Sequence, residues 1–290
     1  MDTISVIIPC HDNQRVLPWI LRSLAASGVT NLEVICVDDA SNVDLKPIAE
    51  AFGARYVRLP EDNPGRRAMA RNRGHQVARG NITLYLDGDV IPEPRIISAA
   101  LQLHAKYPRV AVKYPVYNIP EVDHARSLPV LASLIISQDH MRLGPRVRTH
   151  PCSDIRLLPR RLRDRKTALW MLCVSHCTSI PWIEVERVGG WDENFLGWGE
   201  EDLELAYRLH LNGLRFIYPR PEHGAAYHLD HPIDWDVNLM SLNNNLRYFR
   251  IKFPDSWTGR RGLLRMFLQE NNLPTIPAMV EDLSDCTRLA

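Results

Sequence analysis

Four short apolar runs mark the N-terminal part of the chain: ISVIIP (4–9), LEVICVD (32–38), ARYVRL (54–59) and ITLYLD (82–87). Each is rich in β-branched residues and almost continuously hydrophobic, the pattern of a strand buried on both faces. Between them lie segments of helical length, 13–27, 44–52 and 65–79, closed by Gly28, Gly53 and Gly80. A glycine just past the last helical turn is the usual stop signal. Strand and helix alternating at this spacing predict an α/β protein with a Rossmann-like, mostly parallel central sheet flanked by helices, which binds its ligands at the carboxyl ends of the strands.

The residues directly after those strands are polar: PCHDN follows the first, DDAS the second and DGDVIP the fourth. No G-x-G-x-x-G follows the first strand and no G-x-x-x-x-G-K-[ST] occurs anywhere. Neither a dinucleotide fingerprint nor a P-loop is present, so a nucleotide would have to be held through acids and a metal.

The pattern then loosens. Residues 142–166 hold nine Arg and Lys with three prolines and little periodicity, and read as a mobile basic loop. The apolar run TALWMLCVS reads as a strand, and GWGEEDLEL (197–205) opens a helix over about 201–211 that Asn212 and Gly213 end. LRFIY is a further strand, PRPEHGAAYHLDHP gathers three histidines, and the chain from 233 onward reads as helical.

Composition narrows the function classes. The 290 residues are 45% hydrophobic, ordinary for a globular chain, and 35 Lys and Arg against 34 Asp and Glu leave a net charge of +1, no reason to expect nucleic acid. MDTISVIIPC lacks the basic start of a signal peptide, and no run approaches the roughly 20 apolar residues that span a bilayer. Cysteines 10, 36, 152, 173, 177 and 286 are too scattered for a disulfide framework, which favours a cytoplasmic protein with reduced thiols. Peripheral membrane contact stays open.

Several clusters could carry chemistry. Asp87-Gly88-Asp89 ends a strand that should be buried, where two carboxylates need a cation or donors; Asp-Gly is also a common turn. Asp38 and Asp39 end another strand, where a carboxylate can accept from a base or ribose or simply start a turn, and Ser41 could cap the next helix. Among Arg66, Arg67, Arg71 and Arg73, residues 67 and 71 share a helical face, either solvated or aimed at a diphosphate. His223, His228 and His231 cluster as metal ligands or structural hydrogen-bonders, whereas Cys173, His176 and Cys177 lack the fourth ligand of a zinc site. Glu204 and Arg208 are spaced as a surface ion pair, which leaves Glu200, Glu201 and Asp202 for a site or for a helix end that favours acids.

Taken together, VIIPCHDN, VICVDDAS, ARNRG, LYLDGDVIP and VGGWDENFLGWGEEDLELAYRL resemble family 2 inverting glycosyltransferases of the GT-A fold. The second half resembles the C-terminal region of galactosyltransferases and polypeptide N-acetylgalactosaminyltransferases. Five motifs occur in order over residues 4–232; His11-Asp12 and SHCTSIP depart from the common pattern. The resemblance implies a metal-dependent hexosyltransferase using a UDP-sugar, Mn2+ or Mg2+, and a saccharide, peptide or lipid-linked acceptor. It implies nucleotide contacts from Pro9, Asp39, Arg71 and Asp87, with Asp89 and His228 on the metal. Trp198, Gly199 and Glu201 would bind the acceptor and Asp202 would be the general base, in the D-x-D type of inverting transfer. The expected layout is a nucleotide-sugar half over 1–115, an acceptor half over 116–232 and a helical C-terminal extension over 233–290. Two other functions share part of this pattern, a nucleotidyltransferase and a nucleotide-sugar-binding protein without transferase activity.

Overall fold

The first apolar run folds as strand β1 (Ile4–Cys10), buried at every position but Pro9. It is followed by α1 (Leu17–Ala25), β2 (Leu32–Asp38), α2 (Lys46–Ala51), β3 (Arg55–Arg58), α3 (Arg67–Val77) and β4 (Ile82–Leu86), within a few residues of the periodicity. The computed structural model describes residues 2–60, 66–144, 147–149, 166–173, 175–254 and 274.

Strand β1 lies between β2 and β4, parallel to both, and β3 continues parallel on β2. Because β3 ends the sheet, it is not buried on both faces as its hydrophobicity suggests: Arg55 and Arg58 are exposed and Tyr56 and Val57 only half-buried. On the other side of β4 come β9 (Cys177–Pro181), antiparallel to β4, then β6 (Val110–Lys113) and β10 (Arg215–Ile217), so the sheet runs β10-β6-β9-β4-β1-β2-β3. A second sheet, in the order β5-β11-β7-β8, joins Val90–Pro92 (β5), Val116–Ile119 (β7), Arg148–Thr149 (β8) and Ala226–Leu229 (β11).

Side chains of successive strand residues point to opposite faces, so β1 feeds two cores. Ile4, Val6 and Ile8 pack with Leu17, Ile20 and Leu24 of α1 and with Ile97 and Ala100 of α4 (Arg95–Lys106). Ile7 joins the opposite core with Ala70 of α3, Leu205 and Leu209 of α8 (Glu201–Leu211), and Phe249 of α9 (Trp235–Lys252). Helices α5 (Glu121–Ser137), α6 (His140–Leu143) and α7 (Trp182–Arg187) complete the described set.

Two expectations change. TALWMLCVS is not a strand: Lys166–Leu172 coils as a 3-10 helix, with Trp170 buried against Tyr207 of α8, ring centroids 4.7 Å apart. A short apolar run cannot be told from a buried helical turn by periodicity alone. In the basic stretch, Arg142 and Leu143 lie in α6, Arg148–Thr149 pairs with β7, and 150–165 lie outside the described residues, as does the expected mobility there. The chain is helical over Trp235–Lys252, while 255–273 and 275–290 also lie outside. Among the described residues no helix is long and apolar enough to cross a membrane.

Helix α3 rests directly on β1 because residue 74 is glycine: a Cβ there would lie 2.3 Å from Ile7 Cγ2. This contact sets the height of Arg71 one turn earlier. Gly74→Ala is expected to lower unfolding free energy by about 1–3 kcal/mol through overpacking, despite the better helix propensity of alanine. Urea denaturation monitored by circular dichroism would measure it.

Candidate active site

Three loops at the carboxyl edge of the sheet are tied together before any ligand is considered. Asn13 donates from Nδ2 to the Gly88 carbonyl at 3.0 Å, and its Oδ1 takes the His11 N–H. Gly88 has no room for a side chain, since a Cβ would lie 2.7 Å from the Pro9 carbonyl oxygen. The Asp87-Gly88-Asp89 turn is therefore seated on the end of β1, beside Pro9.

The acids of β2 divide their roles. Asp38 is fully buried and accepts from Ser41 N at 2.9 Å, Tyr56 Oη at 2.5 Å and Arg58 Nη1 at 2.8 Å, which makes it a brace of the strand edge. Ser41 serves that brace and takes the Asp12 N–H; it does not cap α2, whose first turn begins after Leu45. Asp39 turns the other way and accepts from Arg66 N at 2.7 Å and Arg66 Nη2 at 3.2 Å.

The arginines separate as sharply. Arg73 is exposed and donates to Gln76, and Arg67 Nη1 donates to the Gly197 carbonyl at 3.3 Å. Arg71 is 2% exposed and meets three carboxylates from two stretches of chain: Nη2 to Asp87 Oδ1 at 3.0 Å, and Nη1 to Glu201 Oε1 and Asp202 Oδ1, each at 3.1 Å. Burial opposes its charge, but Asp202, Asp87 and Glu201 outweigh that and hold it protonated beyond the usual arginine range. Arg71 Nε has no acceptor among the described residues. Glu201 is pushed up by burial and then by Asp202, with Arg71 opposing.

The loop that delivers those acids is left-handed at Gly197 (φ +71), Gly199 (φ +99) and Glu200 (φ +77), immediately before α8. The close approach its glycines permit is to α9: a Cβ on Gly197 would lie 2.8 Å from Ser241 Cβ, and one on Gly199 2.8 Å from Leu242 Cδ1. Asn245 of α9 donates to the Leu196 carbonyl at 3.0 Å and the Gly199 carbonyl at 2.8 Å, and Ser241 Oγ accepts from Trp198 N at 3.2 Å. Trp198 stands edge-on to Trp235, centroids 6.1 Å apart. Glu204 corrects the surface-pair reading. It pairs with Arg208 as the spacing predicts, at 2.6 Å, yet is fully buried and also takes Lys252 of α9 at 2.7 Å, because α9 covers that face.

Asp202 is held from several sides. Its Oδ2 accepts the Ser175 N–H at 2.9 Å; its Oδ1 accepts the Ser175 hydroxyl and, at 3.4 Å, the indole N–H of Trp191. Neither Ser175 nor Trp191 was singled out by sequence reasoning. Ser175 carries no spacing signal, and Trp191 in GGWDENF reads equally as core.

A separate cluster forms where β11 passes the Asp87-Gly88-Asp89 turn. Asp89 Oδ2 lies 3.5 Å from His228 Nε2 and 3.4 Å from His231 Nε2, and the ligand atoms of the three lie within 4.8 Å of one another. Asp89 Oδ1 is buried with no hydrogen-bond partner among the described residues, as expected of a carboxylate built to meet a cation. Burial opposes charge on His228, but Asp89 and then Asp230 outweigh it and push it up to about 10. One carboxylate and two imidazoles form a donor set that could hold a divalent metal ion. His231, three residues after His228, joins the cluster, while His223 stays exposed on the turn Pro221–His223. Cys173 and Cys177 are buried thiols pushed up to about 12, unsuited as thiolate ligands.

Comparisons with known proteins bear on the family and the fold. The profile of glycosyl transferase family 2 matches residues 5–165, more than half of the chain, and that of the N-terminal domain of galactosyltransferase matches 173–232. Validoxylamine A glucosyltransferase of Streptomyces hygroscopicus subsp. jinggangensis is 30% identical over 263 residues, 87% of this chain and 61% of that protein. Chondroitin synthase of Escherichia coli is 27% identical over 252 residues, 80% of this chain and 35% of that one. The chain thus spans about three fifths or less of these curated relatives. Two solved structures share the fold. S. aureus TarS 1–349 in complex with UDP-GlcNAc has TM-score 0.66 at 15% identity, covering 92% of this chain and 73% of that one. GalNAc-T7 with UDP, GalNAc and Mn2+ has TM-score 0.56 at 16% identity, covering 100% and 58%.

Removing the Arg71 cation should leave Asp87, Glu201 and Asp202 facing one another without compensation. Arg71→Met is expected to lower stability by about 3–5 kcal/mol, the usual penalty for breaking a buried ion pair. Thermal and urea unfolding at neutral pH would read this, and the loss should shrink in acid as the carboxylates protonate.

Proposed function

The chain belongs to glycosyl transferase family 2, and on that premise we propose that it is an inverting, metal-dependent transferase moving a sugar from a UDP-sugar to an acceptor nucleophile. The observation that carries this reading is the meeting at Arg71 of Asp87, from the turn after β4, with Glu201 and Asp202, from the start of α8. A donor held at the strand ends and an acceptor held at the helix would share one charged junction. The presence of UDP-GlcNAc in the TarS structure, and of UDP and Mn2+ in that of GalNAc-T7, supports a UDP-linked donor.

In this reading Asp39 faces the nucleobase at the end of β2, beside Pro9, while Arg71 and Asp87 lie toward the nucleotide. The Trp198 ring offers a flat apolar face for a sugar, with Gly199 and Glu201 completing the acceptor side. Asp202 takes the proton of the acceptor hydroxyl as its oxygen attacks the anomeric carbon. The new carbon–oxygen bond forms on the face opposite the diphosphate, the bond to the diphosphate breaks, and UDP leaves with the electron pair. Glu201 orients the nucleophile, which makes the encounter effectively intramolecular. Asp89 and His228, with His231 beside them, would hold a divalent cation, which when bound offsets charge on the diphosphate.

Turnover of a panel of nucleotide sugars with Mn2+ and no added acceptor tests the function, and release of no nucleoside diphosphate from any of them would count against it. Calorimetry with Mn2+ is expected to show tighter binding of UDP than of GDP. Asp202→Asn should bind UDP as the parent does yet transfer roughly 10²–10⁴-fold more slowly, the usual loss for a general base. His228 must shed its proton to bind a metal. Mn2+ affinity in the presence of UDP should therefore rise with pH below about 10, by about tenfold per unit for each proton displaced, and His228→Ala should flatten that rise.

A further inference from the structure

Asp202 receives more support than a helix-capping carboxylate needs. A carboxylate offers about four lone-pair sites, two per oxygen. Its Oδ1 faces Arg71 Nη1 at 3.1 Å, the indole N–H of Trp191 at 3.4 Å and the Ser175 hydroxyl, so its accepting capacity is taken up. Its Oδ2, among the described residues, accepts only the Ser175 N–H at 2.9 Å. The two oxygens are thus unequal: one is locked and one retains a site. The side chain is 13% exposed, enough for a bound hydroxyl to reach the oxygen left over.

Trp191 is itself fixed. Asn72 of α3 brackets its backbone, accepting the Trp191 N–H at 2.8 Å through Oδ1 and donating to the Trp191 carbonyl at 3.0 Å through Nδ2. Gly190 makes room, since a Cβ there would lie 2.6 Å from Asn72 Oδ1. The indole is 3% exposed and packs edge-on against Tyr85 of β4, centroids 4.4 Å apart. Ser175 is 6% exposed and stands two residues before β9, the strand hydrogen-bonded to β4. Arg208 of α8 donates to the Gly190 carbonyl beside Trp191, but both donors are also held from outside α8, Ser175 next to β9 and Trp191 by Asn72 of α3 and Tyr85 of β4, so they tie the carboxylate to the strand ends where a donor would lie.

We propose that Ser175 and Trp191 are positioning residues that lock Oδ1 of Asp202 and leave Oδ2 as the atom that takes the acceptor proton. The inference rests on the reading of Asp202 as general base and adds which oxygen acts and what holds it. A misplacement of about 1 Å at a reacting centre can lower rate about 100-fold without touching substrate binding. Loss of either donor should accordingly lower kcat and leave donor affinity alone.

Two measurements test this. The first follows UDP release with Mn2+ from whichever of UDP-glucose, UDP-galactose and UDP-GlcNAc is turned over. Ser175→Ala and Trp191→Phe, each checked for a folded circular dichroism spectrum, are expected to lower kcat about 10- to 100-fold with the calorimetric affinity for UDP within twofold of the parent. Ser175→Thr, which keeps the hydroxyl, should recover most of the rate. The second is the 15N-labelled indole N–H resonance of Trp191, assigned by its disappearance in Trp191→Phe; it needs no turnover. Asp202→Asn should shift it and speed its exchange with solvent, because an amide is a weaker acceptor than a carboxylate. An unmoved indole signal, or unchanged kcat in both donor variants while Asp202→Asn is slow, overturns the positioning role and leaves the base reading standing. Normal UDP release by Asp202→Asn overturns both.

Discussion

One buried guanidinium organises this molecule. Arg71 is nearly inaccessible to water, and a charge in that position persists only because three carboxylates from two separate stretches of chain surround it. The constraint is mutual, since Asp87, Glu201 and Asp202 could not lie so close together without it. The close contact of α3 on β1 at Gly74 then becomes intelligible as what fixes the height of that cation. Strand end, helix start and crossing helix are held to one another by charge at a point where hydrophobic packing gives out.

Around this junction several of the cations are already engaged by acids. Arg71 serves three acids, Arg66 is committed to Asp39 and Arg58 to Asp38, while Asp89 keeps a buried oxygen with no partner among the described residues. A diphosphate brought here would add further negative charge, so a divalent ion at Asp89, His228 and His231 is what would make the account balance. The same carboxylate raises both histidines, so Asp89 and the imidazoles of His228 and His231 answer one another's charge.

Much of the architecture was legible in the chain because strand burial writes itself as continuous hydrophobicity. The runs at 4–9, 32–38 and 82–87 became β1, β2 and β4, and the acids placed after them lie at the sheet edge. Patterning failed where an element's neighbours decide its fate. β3 is half exposed because it is last in the sheet, Lys166–Leu172 coils because α8 offers it a groove, and Glu204 is buried because α9 lies across it. Within the site, side chains bearing charge at strand ends announced themselves, and His231 could be suspected from its spacing to His228. Ser175 and Asn72 could not, since a serine or asparagine that holds another group in place has no periodicity and no partner in sequence.

Helix α9 stands well apart in sequence from β2 and β4, yet it underlies the Trp198-Gly199-Glu200 turn through Ser241, Leu242 and Asn245 and pins Glu204 through Lys252. The turn and the helix therefore form one interlocking part. Anyone building chimaeras of this region would have to transplant both stretches together, because a foreign turn on this helix, or this turn on a foreign helix, would meet side chains where the backbone needs empty space. For the same reason, natural variation in the two stretches should be correlated, so that the turn changes by exchange of a matched pair and not by drift in the loop alone.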